Sequence, residues 1–112
     1  MNETPLNAQW VQKQIKVKSI TVDTFISDGH PVPDLIWSDV QGAELLVFQG
    51  AEKALPNIKA IYTEAGKKPY YHGQTLIPEI DSYLKTFGFK CVMELRGTHD
   101  FESDFLYINE NY

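Results

Sequence analysis

One stretch near the middle of the chain constrains the fold most, because it combines a strand, a helix and a second strand. Residues 34–40 form an apolar run that ends in a polar turn at Gln41 and Gly42. Apolar residues recur at helical spacing through 43–55, and 59–64 form a second β-rich run. A helical crossover of this length predicts two parallel strands in a right-handed unit. The chain is therefore expected to be an α/β protein.

The flanking segments extend this unit on both sides. A β-branched run at 17–22 predicts a first strand, followed by a brief helical turn capped by Asp23. An amphipathic stripe over 76–87 predicts a second helix. Residues 89–95 and 104–108 predict two last strands, which should pair antiparallel because no helix separates them. The predicted order is β-β-α-β-α-β-β with a terminal antiparallel strand.

Size and charge exclude several classes of protein. The 112 residues support one domain with a modest core. A net charge of −5 argues against a nucleic-acid partner held through phosphate contacts. No apolar run reaches the roughly 18 residues of a membrane-spanning helix, and the first residues do not resemble a signal peptide. We therefore expect no membrane partner and a cytoplasmic location, with Cys91 as a lone thiol.

Two acidic residues follow the two strands of the parallel unit. Asp39 ends the first strand and Glu64 ends the second. Neighbouring strands lie about 5 Å apart, and α/β sheets bind ligands at their carboxyl ends. The two carboxylates are therefore expected to face one crevice, where they can hold a cation, orient a hydroxyl or act as a general base. The alternative is structural, with Asp39 as a helix cap and Glu64 as an ordinary solvent-facing acid.

The loop after Glu64, residues 65–74, is expected to overhang the same edge. It contains Tyr71, His72 and Gln74, which suit the wall of a substrate site. An ordinary histidine pKa of about 6.5 suits His72 to proton transfer near neutrality. An exposed loop histidine without a catalytic role is the alternative.

Several common site motifs are missing from the sequence. There is no CxxC, HExxH or GxSxG segment, so neither a zinc site nor a nucleophile elbow is expected. No two of the seven glycines are separated by a single residue, which excludes the GxGxxG phosphate loop. Acid–base chemistry is the catalytic option that these motifs leave open.

Residues 33–45 read Pro-Asp-Leu-Ile-Trp-Ser-Asp-Val-Gln-Gly-Ala-Glu-Leu, a strand that ends in Asp39 and is followed by Val, Gln, Gly, a small residue and Glu. This segment resembles the FkbM family of S-adenosylmethionine-dependent methyltransferases. Trp37-Ser38 stands where many members have Lys-Ile, and Gln41 stands in place of a Glu. The likeness spans about residues 17–110 and includes further segments at 48–51, 58–64, 71–76 and 83–89.

The resemblance implies a partial Rossmann-like methyltransferase sheet. It also implies methyl transfer from S-adenosylmethionine to a hydroxyl group of a sugar or another small molecule. Within the family's fold, Asp39 would lie beside the methyl group of the cofactor, and Glu64 on the substrate side. The resemblance implies Asp39, Glu64 and His72 as catalytic residues. It implies cofactor contacts at Asp39, Val40 and Gln41, and substrate contacts at Glu44, Tyr71 and Gln74. No metal ligand is expected.

The likeness covers only the C-terminal half of the family's fold. We expect residues 1–16 to be a polar lead-in and residues 17–112 to be the C-terminal half of a methyltransferase-like domain. One hypothesis is a truncated or split O-methyltransferase, which alone binds the cofactor no more tightly than about millimolar. The alternative is a non-catalytic interaction module that pairs through an open sheet edge. Its partner would be a second copy or a complementary N-terminal half. A third hypothesis is a stand-alone enzyme that uses Asp39, Glu64 and His72 as acid–base groups.

Overall fold

The computed structural model of the chain describes residues 11–69, 72–96 and 101–112. These residues form a mixed α/β fold, which confirms the predicted class. The helices are α1 (Val22–Ser27), α2 (Glu44–Gln49), a 3-10 turn (Leu55–Asn57) and α3 (Ile77–Lys85), and the strands are β1 (Leu35–Ser38), β2 (Ala60–Gly66), β3 (Phe89–Arg96) and β4 (Glu102–Asn109).

The four strands form one sheet in the order β1-β2-β4-β3. β1 and β2 are parallel, with Leu35 opposite Ala60 and Ser38 opposite Thr63. β4 is antiparallel to both β2 and β3. Both the parallel strand–helix–strand unit and the antiparallel pairing of the last two strands are therefore confirmed. This sheet is compatible with a methyltransferase-like fold.

The predicted first strand at 17–22 is wrong. Residues 11–21 have no regular structure, and α1 begins at Val22. Val17 is 77% exposed and Ile20 is 52% exposed, so neither packs against a neighbouring strand. A β-branched run has no ladder hydrogen bonds to make without such a neighbour, and its strand propensity depends on packing.

The prediction that Asp23 caps α1 is wrong. The cap is Thr21, whose hydroxyl accepts the N–H of Thr24 at 3.0 Å. The carboxylate of Asp23 instead accepts the backbone N–H groups of Lys53 at 2.9 Å and Ala54 at 3.1 Å. This side chain therefore docks α1 against the connection that follows α2.

The first crossover helix is shorter than its apolar stripe suggests. α2 ends at Gln49, and turns lead from Gly50 to the 3-10 turn. Ala51, Ala54 and Leu55 are nevertheless buried, as the stripe predicts. The second predicted helix also forms, as α3, with Leu76 at its N-cap and Pro78 in its first turn.

The core lies between the helices and one face of the sheet. Alternate residues of β2 and β4 point into it, including Ile61, Phe105 and Tyr107, and Phe48 and Leu84 pack on them from α2 and α3. The opposite face carries Leu35, Trp37, Met93, Leu95 and Ile108, all of which are at least 38% exposed. Within the described residues, helices cover only one side of the sheet. None of the described helices is long and apolar enough to cross a membrane.

Candidate active site at the carboxyl edge of β1 and β2

Asp39 and Glu64 meet at one edge of the sheet. Ser38 is paired with Thr63 in the parallel ladder, so the two acids occupy the next positions on neighbouring strands. Asp39 raises the pKa of Glu64 both by hydrogen bonding and by its charge, which requires the two side chains to lie close together. The two acids therefore lie side by side at this edge of the sheet.

The environment of Glu64 favours its protonated form. Burial, followed by the hydrogen bond and charge of Asp39 and then the charges of Glu102 and Asp104, raises the pKa of Glu64 to about 7. Asp104 lies opposite Glu64 in β4, and Glu102 lies opposite Gly66. Near neutral pH, Glu64 is thus able both to donate and to accept a proton.

Asp104 and Glu102 were missed from the sequence. They are two residues apart and begin the last strand, so a strand pattern places them on the same face. Only the insertion of β4 beside β2 brings that face next to Glu64. Asp104 is further held by the hydroxyl of Tyr62, which donates to its carboxylate at 3.1 Å.

The turn after β1 has an unusual backbone. Gln41 has a φ of 56° and Gly42 a φ of 98°, so two successive residues are left-handed. The carboxylate of Glu44 closes this turn, because its Oε2 atom accepts the N–H of Val40 at 3.2 Å and of Gly42 at 3.3 Å. Glu44 is 1% exposed. A direct contact with substrate, as predicted for Glu44, would require this turn to open.

The loop before α3 crosses the same edge. A Cβ atom at Gly42 would lie 2.9 Å from Cγ of Gln74, and one at Gly66 would collide with the amide of Gln74. The N–H of Thr75 donates to the carbonyl of Gly42 at 3.3 Å, and Leu76 forms a bridge with Gly66. The structure therefore brings Gln74 to the predicted edge.

The other predicted site residues are less closely joined to the acidic pair. His72 is exposed, and within the described part of the chain no hydrogen bond or ion pair joins it to Asp39 or Glu64. Val40 is 39% exposed and Gln41 is also exposed, so both are open to a ligand. Tyr71 lies outside the described residues. The cofactor and substrate roles of these residues stay predictions.

Comparison with known proteins gives two matches for the chain. The family model described as "Methyltransferase FkbM domain" matches residues 2–91. The "2-O-methyltransferase NoeI" of Sinorhizobium fredii is 38% identical over 82 residues, which cover 70% of this chain and 34% of that protein. The chain thus spans about a third of the length of this curated relative. No solved structure matches the chain with significance.

Proposed function

The chain belongs to the FkbM methyltransferase family, and we propose that it forms the acceptor-binding part of an O-methyltransferase that uses S-adenosylmethionine. The observation that carries this proposal is the position of Asp39 and Glu64 side by side at the carboxyl edge of two parallel strands, where Asp39 helps to raise the pKa of Glu64. The relative's name, a 2-O-methyltransferase, supports a hydroxyl oxygen as the acceptor atom. A sugar or another small hydroxylated molecule is the proposed substrate class.

The acidic pair has the chemistry that a hydroxyl acceptor requires. A hydroxyl group must lose its proton as its oxygen forms a bond to a methyl group, and a general base near the operating pH removes that proton efficiently. With a pKa of about 7, Glu64 is suited to accept it at a carboxylate oxygen. Once Glu64 has accepted the proton, its carboxyl group can donate that proton in a hydrogen bond to Asp39, which stabilises the protonated form of Glu64. His72 is the second candidate for proton transfer.

The described residues do not by themselves fit a whole S-adenosylmethionine molecule, which supplies the methyl group when it is bound. Helix starts and tight turns hold such cofactors through free backbone N–H donors. In the turn after β1, the N–H groups of Val40 and Gly42 are already taken by Glu44. We propose that the rest of the cofactor site comes from a complementary N-terminal part, which would complete a Rossmann-like sheet beside β1.

A chimera tests this function. The matched 82-residue region of the Sinorhizobium fredii relative is replaced by the corresponding residues of this chain. We expect the chimera to bind S-adenosylmethionine and to methylate an acceptor of the relative. Asp39→Asn and Glu64→Gln in the chimera should each lower methyl transfer at least about 100-fold, the range of general acid–base catalysis. The matched control is Glu79→Gln, an exposed acid in the first turn of α3.

Two outcomes would contradict the proposal. A folded chimera that does not bind the cofactor would show that this chain does not complete the site. Full activity of the Glu64→Gln chimera would remove Glu64 from the reaction. Calorimetric titration of the isolated chain adds a further check, in which we expect no binding tighter than about millimolar. A micromolar dissociation constant would show that the chain binds the cofactor alone.

A second candidate function is an interaction module without catalysis. Among the described residues, β1 pairs only with β2 and is an edge strand, and open edges accept strands from other chains. Trp37 on this strand is 76% exposed, which is unusual for the largest apolar side chain. Sedimentation of the isolated chain, alone and with the N-terminal part of the relative, distinguishes a monomer from a second copy or a complementary partner.

A further inference from the structure

The turn between β1 and α2 has a backbone that needs support. Its two successive left-handed residues include Gln41, and a side chain makes that conformation unfavourable. The turn follows Asp39 directly, so any change in its path changes the direction of the Asp39 side chain. The acidic pair therefore depends on what holds this turn in place.

Glu44 supplies that support from inside the protein. One carboxylate oxygen accepts two N–H groups, from Val40 at 3.2 Å and from Gly42 at 3.3 Å. These bonds bracket Gln41 on both sides. Bonds to a charged acceptor are stronger than neutral ones, and here the accepting side chain is buried.

We propose that Glu44 is a positioning residue, which holds Asp39 against Glu64 through the turn at residues 40–42. The peptide N–H that Val40 donates belongs to the amide that it shares with Asp39, so the bond from Glu44 fixes the plane of that amide. The inference rests on the proposed function, since the pair that Glu44 positions is the proposed acceptor site. Glu44 itself touches neither carboxyl group in this role.

Only one of the two carboxylate oxygens of Glu44 is bonded to the turn. Oε1 is buried and has no hydrogen-bond partner among the described residues, whereas Oε2 makes both bonds to the turn. An amide in place of the carboxylate keeps one acceptor oxygen for both N–H groups. Glu44→Gln is therefore the conservative variant, and Glu44→Ala removes the support.

The test measures the protonation of Glu64 rather than activity. The side-chain carboxyl signal of Glu64 is followed by NMR from pH 3 to pH 9 in the wild-type chain and in both variants. The charged groups that face Glu64 are Asp39 on β1 and Glu102 and Asp104 on β4, and Glu44 is not among them. A change in the Glu64 midpoint therefore reports movement of Asp39 rather than loss of the Glu44 charge.

We expect the Glu64 midpoint to stay within about 0.5 pH units of wild type in Glu44→Gln and to fall by at least about 1 unit in Glu44→Ala. Glu79→Ala, which removes an exposed acid from the first turn of α3, should leave it unchanged. Amide spectra of residues in β2 and β4 confirm that each variant is folded. If Glu44→Ala does not fold, Glu44→Asp replaces it, since the shorter side chain withdraws the acceptor from the turn.

Two results would overturn the inference. One is a folded Glu44→Ala or Glu44→Asp chain with the wild-type midpoint. The other is a midpoint in Glu44→Gln that falls as far as in Glu44→Ala, because the retained acceptor should rescue the pair. Neither result depends on cofactor binding or methyl transfer, so a failure of the chimera experiment remains distinguishable from a failure of this inference.

Discussion

At the residue scale, the most consequential side chain is Glu64, because its pKa changes how stability depends on pH. The pKa is about 7 in the folded chain, compared with an ordinary value of 4.5. Between these values, the folded state holds more protons than the unfolded state. The free energy of unfolding therefore falls as the pH rises from about 4.5 to 7, and the loss is complete above pH 7.

Glu64→Gln should abolish this fall in the free energy of unfolding with rising pH. At pH 4 the wild-type carboxyl group is neutral, as the amide is, so the two chains should be equally stable. At pH 8 the variant should be more stable by up to about 1 kcal/mol, since partial solvent exposure screens the repulsion between the acids. Urea unfolding at both pH values measures the difference. Glu79→Gln should show no comparable pH dependence, and a variant that loses stability at pH 8 would contradict the repulsion.

A pair of buried hydroxyl groups on β1 and β2 provides a second residue-scale prediction. Ser38 and Thr63 are opposite each other. The Thr63 hydroxyl donates to the carbonyl of Glu64 at 3.0 Å, whereas the Ser38 hydroxyl has no hydrogen-bond partner in the part of the chain that the structure describes. Loss of a buried hydrogen bond costs about 1 kcal/mol, whereas loss of an unsatisfied hydroxyl is nearly neutral. Thr63→Val should therefore destabilise the chain by about 1 kcal/mol and Ser38→Ala by less than about 0.5 kcal/mol. Chemical unfolding measures both variants, and a larger loss of stability in Ser38→Ala than in Thr63→Val would contradict the hydrogen bond assigned to Thr63.

At the element scale, the loop before α3 can lie over the sheet edge because Gly66 has no side chain to obstruct it. An added Cβ would collide with the amide of Gln74 and lie 3.2 Å from a methyl group of Leu76. Gly66→Ala should therefore cost about 1–2 kcal/mol, the usual cost of overpacking. The loss should be smaller in a Gln74→Ala background, with a coupling energy of at least about 0.5 kcal/mol.

The matched control for this cycle is Gly50→Ala combined with Gln74→Ala. A Cβ at Gly50 would meet Thr21 rather than Gln74, so these two substitutions should be additive. Equal coupling in both cycles would argue against contact between Gln74 and the edge. The prediction thus tests the position of the loop independently of any ligand.

The elements also show which sequence patterns were reliable. The parallel unit was predictable because a helical crossover admits little else, and Asp39 and Glu64 follow from its register. The strand predicted at 17–22 was wrong because its residues have no neighbouring strand in the described sheet. The inward position of Glu44 was not predictable, since a glutamate in the first turn of a helix is equally common in solvent.

On the scale of the whole molecule, the residues that the structure describes cover one face of the sheet and leave the other exposed. Parallel strands are normally buried on both faces. On the uncovered face, Leu35, Trp37, Tyr62 and Leu106 line a depression of about 270 Å³. Trp37 contacts Tyr62 edge-on with 5.5 Å between the ring centroids. An exposed apolar face of this kind is typical of an interaction surface.

We expect a partner of this chain to bury Trp37. Trp37→Asp should weaken self-association, or binding of the N-terminal part of the relative, at least about 10-fold. The reason is that a large aromatic side chain at the centre of an interface contributes roughly 2 kcal/mol or more to binding. The matched control is Leu46→Asp, since Leu46 is 69% exposed on α2. Equal effects of the two substitutions in sedimentation or binding measurements would place the partner elsewhere.

The sequence by itself determined the α/β class, the parallel unit, the two acids at its edge and the loop above them. Each of these depends on local periodicity or on the short path between neighbours along the chain. The tertiary structure decided which distant strands became neighbours, and so surrounded Glu64 with Glu102 and Asp104. It also turned Glu44 inward and placed β1 at the edge of the described sheet. Such outcomes depend on contacts between residues far apart in the chain, which local propensity does not encode.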